Sequence, residues 1–144
     1  MRSALVKQPA GRMYELINDI ERYPQFVPWC THASVESRSE REIVATLGVR
    51  RGTWRAEFTT RNELEPDRRI HMRLVKGPFR FFEGEWLLTP IDAAGSRIEL
   101  ALRFAFANPL SALLLEPWFE KTAADLLDAF VRRAGQRYWR CAVA

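Results

Sequence analysis

Apolar and polar residues alternate along a segment in the last third of the chain. One side of this alternation carries Ile98, Leu100, Leu102, Phe104 and Phe106. The other side carries charged or small residues: Arg97, Glu99, Ala101, Arg103 and Ala105. A period of two with one apolar side is typical of a half-buried antiparallel strand. Residues 97–106 are therefore predicted to form a strand with one face in the core.

The same period of two recurs in several earlier segments that short polar turns separate. Further strands are predicted over residues 3–7, 33–37, 43–49, 53–64, 70–74 and 82–88. Connections this short join neighbouring antiparallel strands rather than βαβ units. The pattern indicates a curved antiparallel sheet whose strands follow one another in meander order.

Helical spacing occurs in two places. Residues 10–20 carry apolar side chains three and four apart and predict a short helix. A long amphipathic helix is predicted from Pro109 nearly to the C-terminus, with Asn108 as its N-cap and a kink or restart at Pro117. The segment 23–30 contains Pro24 and Pro28, so it is expected to be a loop that folds back onto the core. Together these elements predict an α+β fold, a curved sheet closed by one helix.

Composition places the chain among ordinary globular proteins. With 144 residues, 47% of them apolar and 28% charged, residues 1–144 are predicted to form a single domain. No apolar run approaches the roughly 20 residues of a membrane span, and the N-terminus does not resemble a signal peptide. A cytoplasmic location is therefore expected, with peripheral contact to the inner membrane left open. Cys30 and Cys141 are expected to be unpaired thiols.

The net charge of +4 comes mostly from arginine, which leaves an anionic surface, either membrane or RNA, open as a partner. A cluster near the C-terminus, interleaved with Tyr138 and Trp139, could grip phosphates or lie at a lipid interface. It consists of Arg132, Arg133, Arg137 and Arg140. The alternative is that these cations only complement the dipole of a last helical turn.

Catalytic and metal-binding patterns are largely absent from the sequence. Cys30 and His32 could meet on an extended segment, but neither an orienting third group nor an oxyanion site is visible. Glu83 and Glu85 share one side of a strand, and they are expected to face solvent and pair with Arg73 or Arg103. No zinc spacing or phosphate loop is present. We expect no catalytic residue, no metal, no cofactor and no DNA partner.

The strand residues predicted to face inward are the main evidence for function, because they form a large apolar set with almost no titratable group. They comprise Trp54, Phe58, Met72, Leu74, Phe82, Trp86, Leu100, Leu102 and Phe104, faced by Phe119, Leu126 and Phe130 from the long helix. This set could be a filled core. A cavity between the sheet and the helix would instead select a hydrophobic ligand by shape and apolar area.

Four motifs occur in an order that resembles a known family. They are Tyr23-Pro24-x-Phe26-Val27-Pro28-x-Cys30, Thr60-Arg61-Asn62-x-Leu64, Gly77-Pro78-Phe79 with Gly84-x-Trp86, and Phe104-x-Phe106-x-Asn108-Pro109-Leu110. The chain resembles the START-like proteins related to the coenzyme-Q-binding protein of respiration, whose bacterial members include ribosome association toxins. The similarity extends from Ser3 to about Tyr138.

This resemblance implies a helix-grip fold with a hydrophobic tunnel. In that arrangement Tyr23, Pro24, Phe26, Pro28 and Cys30 would form the mouth of the tunnel. Phe79 and Trp86 would line its wall, and Pro117, where a more continuous helix is expected, would bend the lid.

The leading expectation for function is a non-enzymatic carrier of a polyprenyl quinone or related lipid that supports respiratory electron transport. The first alternative is an inhibitor of ribosome association that binds the large ribosomal subunit. The second alternative is an aromatase or cyclase, which would need polar groups inside the cavity.

Overall fold

A computed structural model of the chain describes residues 2–143, without the side chains of residues 123, 124 and 136–143. Seven strands form one antiparallel sheet in the order β1-β7-β6-β5-β4-β3-β2. The strands are β1 (Arg2–Val6), β2 (Cys30–Arg38), β3 (Glu42–Arg51), β4 (Trp54–Glu65), β5 (Arg69–Lys76), β6 (Phe79–Pro90) and β7 (Ser96–Phe106). The predicted meander of antiparallel neighbours is confirmed.

Five strands extend beyond their predicted limits, whereas β1 and β4 keep the predicted length and are each displaced by one residue. Register shifts occur in three strands: between Cys30 and His32 and between Val35 and Ser37 in β2, between Thr59 and Thr60 in β4, and between Phe79 and Phe81 in β6. The first strand, β1, pairs only with Ser96–Leu100 of β7. Within the described residues, the part of β7 from 101 to 106 is therefore an unpaired sheet edge.

A short helix and a 3₁₀ helix follow β1. The α-helix α1 (Ala10–Asn18) ends two residues earlier than predicted, and a 3₁₀ helix (Ile20–Gln25) takes the place of the first part of the expected loop. Tertiary contact fixes this turn, because the Tyr23 hydroxyl donates a hydrogen bond to the Ile17 carbonyl. The prolines exclude an α-helix here, but a 3₁₀ turn is compatible with Pro24.

The long helix α2 (Pro109–Val143) is capped as predicted. The Asn108 side-chain oxygen accepts hydrogen bonds from the backbone N–H groups of Leu110 at 2.8 Å and Ser111 at 3.4 Å. The helix continues through Pro117, so the expected restart is wrong. Proline removes one hydrogen bond to the Leu113 carbonyl, and Leu113 lies on an exposed part of the helix where water can replace it.

The apolar core is divided into two clusters under α2. The first joins α1, the middle of the sheet and the second half of α2, and it includes Met13, Trp86, Leu127 and Phe130. The second is rich in aromatic rings and lies where α2 begins, and its buried members are Val49, Phe58, Phe79, Phe82, Phe106, Leu115 and Phe119. The candidate cavity adjoins both clusters.

Candidate functional site

An apolar cavity of about 60 Å³ lies between the concave face of the sheet and α2. Eight of its lining residues belong to the predicted ligand set: Tyr23, Phe58, Met72, Phe82, Trp86, Phe119, Leu126 and Phe130. Eight others complete the wall: Ile20, Trp29, Ala45, Leu47, Thr60, Asn62, Leu102 and Thr122. Small-molecule sites typically enclose roughly 300–1,000 Å³, so this cavity is too small for a quinone ring with a prenyl tail.

The other predicted ligand residues lie outside the cavity lining. Pro24 is exposed, and Pro28 borders a separate surface pocket. The remaining residues of this set pack into the core clusters or against their edges: Phe26, Trp54, Leu74, Phe79 and Leu100. The structure therefore brings the sheet and helix residues together and leaves most of the predicted tunnel mouth outside.

Side chains from neighbouring strands fill the middle of the cavity. Gly84 of β6 has no side chain, and a Cβ atom there would lie 2.5 Å from Met72 Cε and 2.6 Å from Leu102 Cδ2. These two side chains therefore occupy the space that a larger residue at Gly84 would take. The cavity remains small because Met72 and Leu102 meet over this glycine.

One polar pair enters the otherwise apolar wall. The Thr60 hydroxyl donates a hydrogen bond of 2.8 Å to the Asn62 side-chain oxygen, and both residues are buried. Trp54 and Phe58 are predicted to face inward, but Thr60 and Asn62 are not among the predicted wall residues. Continuing the same alternation along β4 would have predicted them, because residues two positions apart on one strand share a face.

Aromatic rings from the 3₁₀ turn close one side of the cavity. The ring centroids of Tyr23 and Phe26 each lie 5.2 Å from that of Phe130, which also contacts Trp86 at 5.1 Å. Such edge-to-face contacts stabilise aromatic pairs beyond the effect of area burial. Burial raises the pKa of Tyr23 well above its ordinary value, so its hydroxyl stays a neutral donor.

Cys30 and His32 do not form a catalytic pair. Cys30 is buried, its thiol donates to the His32 carbonyl at 3.4 Å, and burial raises its pKa to about 11. The His32 ring is exposed and lies near Thr31 and Glu57 instead. A protonated thiol is a poor nucleophile, so this segment has no sign of an activated cysteine.

Glu83 and Glu85 face outward as expected; Arg103 and Arg73 interact electrostatically with Glu83 as predicted, but the closest partners are His71 and Arg69. Glu83 accepts a hydrogen bond of 2.8 Å from His71, and Glu85 lies 2.8 Å from Arg69. The hydrogen bond from His71 lowers the pKa of the Glu83 carboxyl. Among the described residues, no group of three His, Cys, Asp or Glu side chains is placed to hold a metal ion.

The predicted cluster near the C-terminus is only partly described. Arg132 is exposed, whereas Arg133 is half-buried, donates to the Gln25 side chain at 2.8 Å and lies over the Phe26 ring. Arg133 thus fixes the 3₁₀ turn against α2. The side chains of Arg137 and Arg140 lie outside the described residues.

An open groove of about 840 Å³ lies beside the unpaired edge of β7 and the first half of α2. Phe81, Leu102, Phe104 and Leu113 contribute its apolar surface, and Leu102 is shared with the central cavity.

In the part of the chain that the structure describes, no helix is long and apolar enough to cross a membrane.

Comparison with known proteins identifies the family. Residues 6–131 match the family model described as polyketide cyclase / dehydrase and lipid transport. The chain belongs to this family. The match confirms the START-like resemblance and the helix-grip architecture of a curved sheet with a C-terminal helix.

Named members of the family differ in what they do. The chain is 40% identical over 137 residues to the ribosome association toxin RatA of Vibrio cholerae, covering 95% of each chain. It is 22% identical over 137 residues to the mitochondrial coenzyme Q-binding protein COQ10 of Dictyostelium discoideum, covering 92% of this chain and 67% of that protein.

A solved structure of the family has the same fold. The Zhui aromatase/cyclase from Streptomyces sp. R1128 superposes with a TM-score of 0.84 at 22% identity, covering 98% of this chain and 94% of the other. At this identity the similarity extends to the fold alone.

Proposed function

We propose that the protein associates with the ribosome and acts without a catalytic step. The observation that carries the proposal is the 40% identity over 95% of both chains to a protein named for ribosome association. The resemblance of the sequence to the START-like proteins implies the large subunit as the partner. A cytoplasmic location follows from this proposal, since ribosomes are the target.

The geometry of the cavity favours this function over the carrier function. A quinone carrier must enclose its ligand, and the cavity of about 60 Å³ does not have that volume. Association with a ribosome requires an exposed surface and no large cavity. The fold can therefore serve this function in the conformation that the structure describes.

Sedimentation with purified ribosomal subunits tests the proposal. The protein should travel with large subunits through a sucrose gradient at low salt and be released as the salt concentration rises. A protein that remains at the top of the gradient at every salt concentration would contradict the proposal. Small subunits at equal concentration are the control for non-specific attraction.

Binding of a hydrophobic ligand is the second candidate function, and the apolar wall of the cavity favours it. The wall includes rings from sheet and helix and one polar pair, Thr60 and Asn62, that could orient a small head group. A quinone would require α2 to move away from β7, where the open groove already adjoins the cavity through Leu102. The 22% identity to a coenzyme Q-binding protein agrees with this candidate.

Mass spectrometry of lipids extracted from the purified protein, with titration of a short-chain ubiquinone, tests this second function. Ala45 lines the cavity and is 2% exposed, so Ala45→Val narrows the space. Saturable binding that this variant weakens would support a ligand inside the cavity. Absence of both bound lipid and saturable binding would refute the carrier function.

A further inference from the structure

Two arginines face each other across neighbouring strands. Arg50 of β3 is the direct partner of Arg55 of β4, on either side of the turn at Gly52, and both side chains are exposed. Like charges directly opposite each other on a sheet are destabilising. Neither arginine forms an ion pair with a carboxylate within the described residues. The Arg50–Arg55 pair therefore does not stabilise the fold.

Further exposed cations lie on β5, β6 and β7, two of them toward the same end of the sheet and two, Arg73 and Arg103, in the row that contains Arg61 of β4. They are Arg73, Lys76, Arg80 and Arg103, and within the described residues none has a carboxylate within 4.0 Å. We call these four residues, with Arg50 and Arg55, the cationic face. Five adjacent strands contribute to it, and at about 4.8 Å per strand it spans roughly 19 Å.

The carboxylates that could neutralise this face have other partners. Glu57 lies 3.6 Å from His32. Glu83 is opposite both Arg73 and Arg103 in the register, yet it is hydrogen-bonded to His71 at 2.8 Å. The charges of Arg103 and Arg73 also lower the pKa of the Glu83 carboxyl, so these two arginines are partly compensated. Arg50, Arg55, Lys76 and Arg80 have no carboxylate within 4.0 Å among the described residues.

Several other cations of the sheet and its turns are paired within the described residues. Arg38 lies 2.9 Å from Glu21, Arg61 lies 3.6 Å from Glu42, and Arg68 lies 3.8 Å from Glu65.

An exposed aromatic ring lies within the cationic face. Phe81 is 40% exposed, and the guanidinium carbons of Arg80 and Arg103 each lie 5.9 Å from its ring centroid. Unpaired bases stack on aromatic rings and on arginine planes, whereas phosphates accept hydrogen bonds from guanidinium groups. Both kinds of contact are available at Phe81.

We propose that the cationic face binds RNA, with Arg50 and Arg55 on backbone phosphates and Phe81 as a stacking platform. This inference rests on the proposed function, and it places the contact with ribosomal RNA on the outer face of the sheet. An RNA backbone supplies the negative charge that makes the Arg50–Arg55 pair favourable. Of the predicted C-terminal cluster, Arg133 is unavailable for such a contact because it donates to Gln25.

The test measures association with large ribosomal subunits over a range of salt concentrations. For the double variant Arg50→Gln/Arg55→Gln, the slope of log affinity against log salt should fall by about 2, roughly one for each lost phosphate contact. The charge reversal Arg50→Glu/Arg55→Glu should lower the affinity on the order of tenfold or more. Phe81→Ala should weaken binding with little change in the slope.

The matched control reverses two arginines in the turns at the other end of the sheet. Arg41→Glu/Arg68→Glu changes the net charge by the same amount as Arg50→Glu/Arg55→Glu, and its affinity should stay within about twofold of the parent protein. The single variant Arg50→Gln removes the repulsion between Arg50 and Arg55, so the midpoint of its urea unfolding should not fall. Its association with large ribosomal subunits should nevertheless weaken. That combination separates an RNA contact from damage to the fold.

The possible results separate the two proposals. If the parent protein does not bind subunits at all, the proposed function fails and this inference fails with it. If the parent binds and Arg50→Glu/Arg55→Glu binds equally well, the cationic face is refuted while the function stands. Flotation of the parent with vesicles of anionic lipid, in place of sedimentation with subunits, would assign the face to a membrane and overturn the proposal.

Discussion

Three leucines in the first half of α2 are exposed, whereas Leu127, Phe130 and Ala134 in the described part of its second half are buried. Leu110, Leu113 and Leu114 are 64%, 74% and 62% exposed, but Leu127 is 3% exposed and Phe130 is not exposed at all. The second half lies over the first core cluster together with α1. The first half begins beyond the part of β7 that β1 covers. Leu115 and Phe119 also anchor the first half in the second core cluster, but Leu110, Leu113 and Leu114 leave an apolar surface open there.

The largest expected effect comes from removing the ring at the centre of the buried half. Phe130→Ala deletes a side chain that contacts Tyr23, Phe26 and Trp86. Loss of a fully buried phenylalanine costs about 3–5 kcal/mol in the free energy of unfolding. Urea unfolding followed by circular dichroism measures it.

The same substitution in each half of α2 provides the control. Leu127→Ala should cost about 2–5 kcal/mol, and Leu113→Ala should change the free energy of unfolding by less than about 0.5 kcal/mol. Equal losses from the two leucines would contradict the difference between the two halves.

The sequence predicts which residues lie on the apolar face of a helix or strand better than it predicts which of them are buried by other elements. Both halves of α2 show apolar residues at helical spacing, so Leu113 and Leu127 look equivalent in the sequence. Their burial differs because β1 pairs with only part of β7 and α1 packs near one end of the helix. Whether other elements cover a given part of α2 depends on the tertiary structure, and the spacing of apolar residues in the sequence does not show it.

In the candidate site, too, the sequence predicts the direction of side chains but not how they pack. Alternation along β4 places Thr60 and Asn62 in the wall, but it does not reveal that Met72 and Leu102 meet over Gly84 and reduce the cavity to about 60 Å³. Likewise, the outward position of Glu83 follows from the pattern. Its preference for His71 over Arg73 depends on side-chain geometry, and so does the extent to which the charge of the cationic face is compensated.

An effect smaller than those of Phe130→Ala and Leu127→Ala is expected at the polar pair formed by Thr60 and Asn62. Asn62→Ala leaves the buried Thr60 hydroxyl without its partner and should cost about 1–3 kcal/mol in the free energy of unfolding. Replacing both groups by apolar residues of similar shape, Thr60→Val/Asn62→Leu, should be nearly neutral. Thermal and urea unfolding of the two variants measure the difference. A double variant as unstable as Asn62→Ala would show that the pair is not the cause.

A smaller, pH-dependent effect is expected where β2 begins. The pKa of Cys30 is about 11 in the folded protein, above its ordinary value of 9.0, because burial disfavours the thiolate. The unfolded chain therefore loses this proton first, and stability should fall as the pH rises from 9 to 11. Urea unfolding at a series of pH values measures the slope, and Cys30→Ala should make it shallower. Tyr23 acts in the same direction at higher pH, so the slope should not vanish.

The smallest expected effect concerns the exposed half of α2. Leu110→Ser/Leu113→Ser replaces two side chains that are 64% and 74% exposed, so the free energy of unfolding should change by less than about 1 kcal/mol in total. Association with ribosomal subunits should also stay unchanged, since no residue of the cationic face is altered. Gradient sedimentation and urea unfolding of the same preparation measure both. Weaker association with unchanged stability would extend the ribosome contact from Phe81 along the groove that it shares with Leu113.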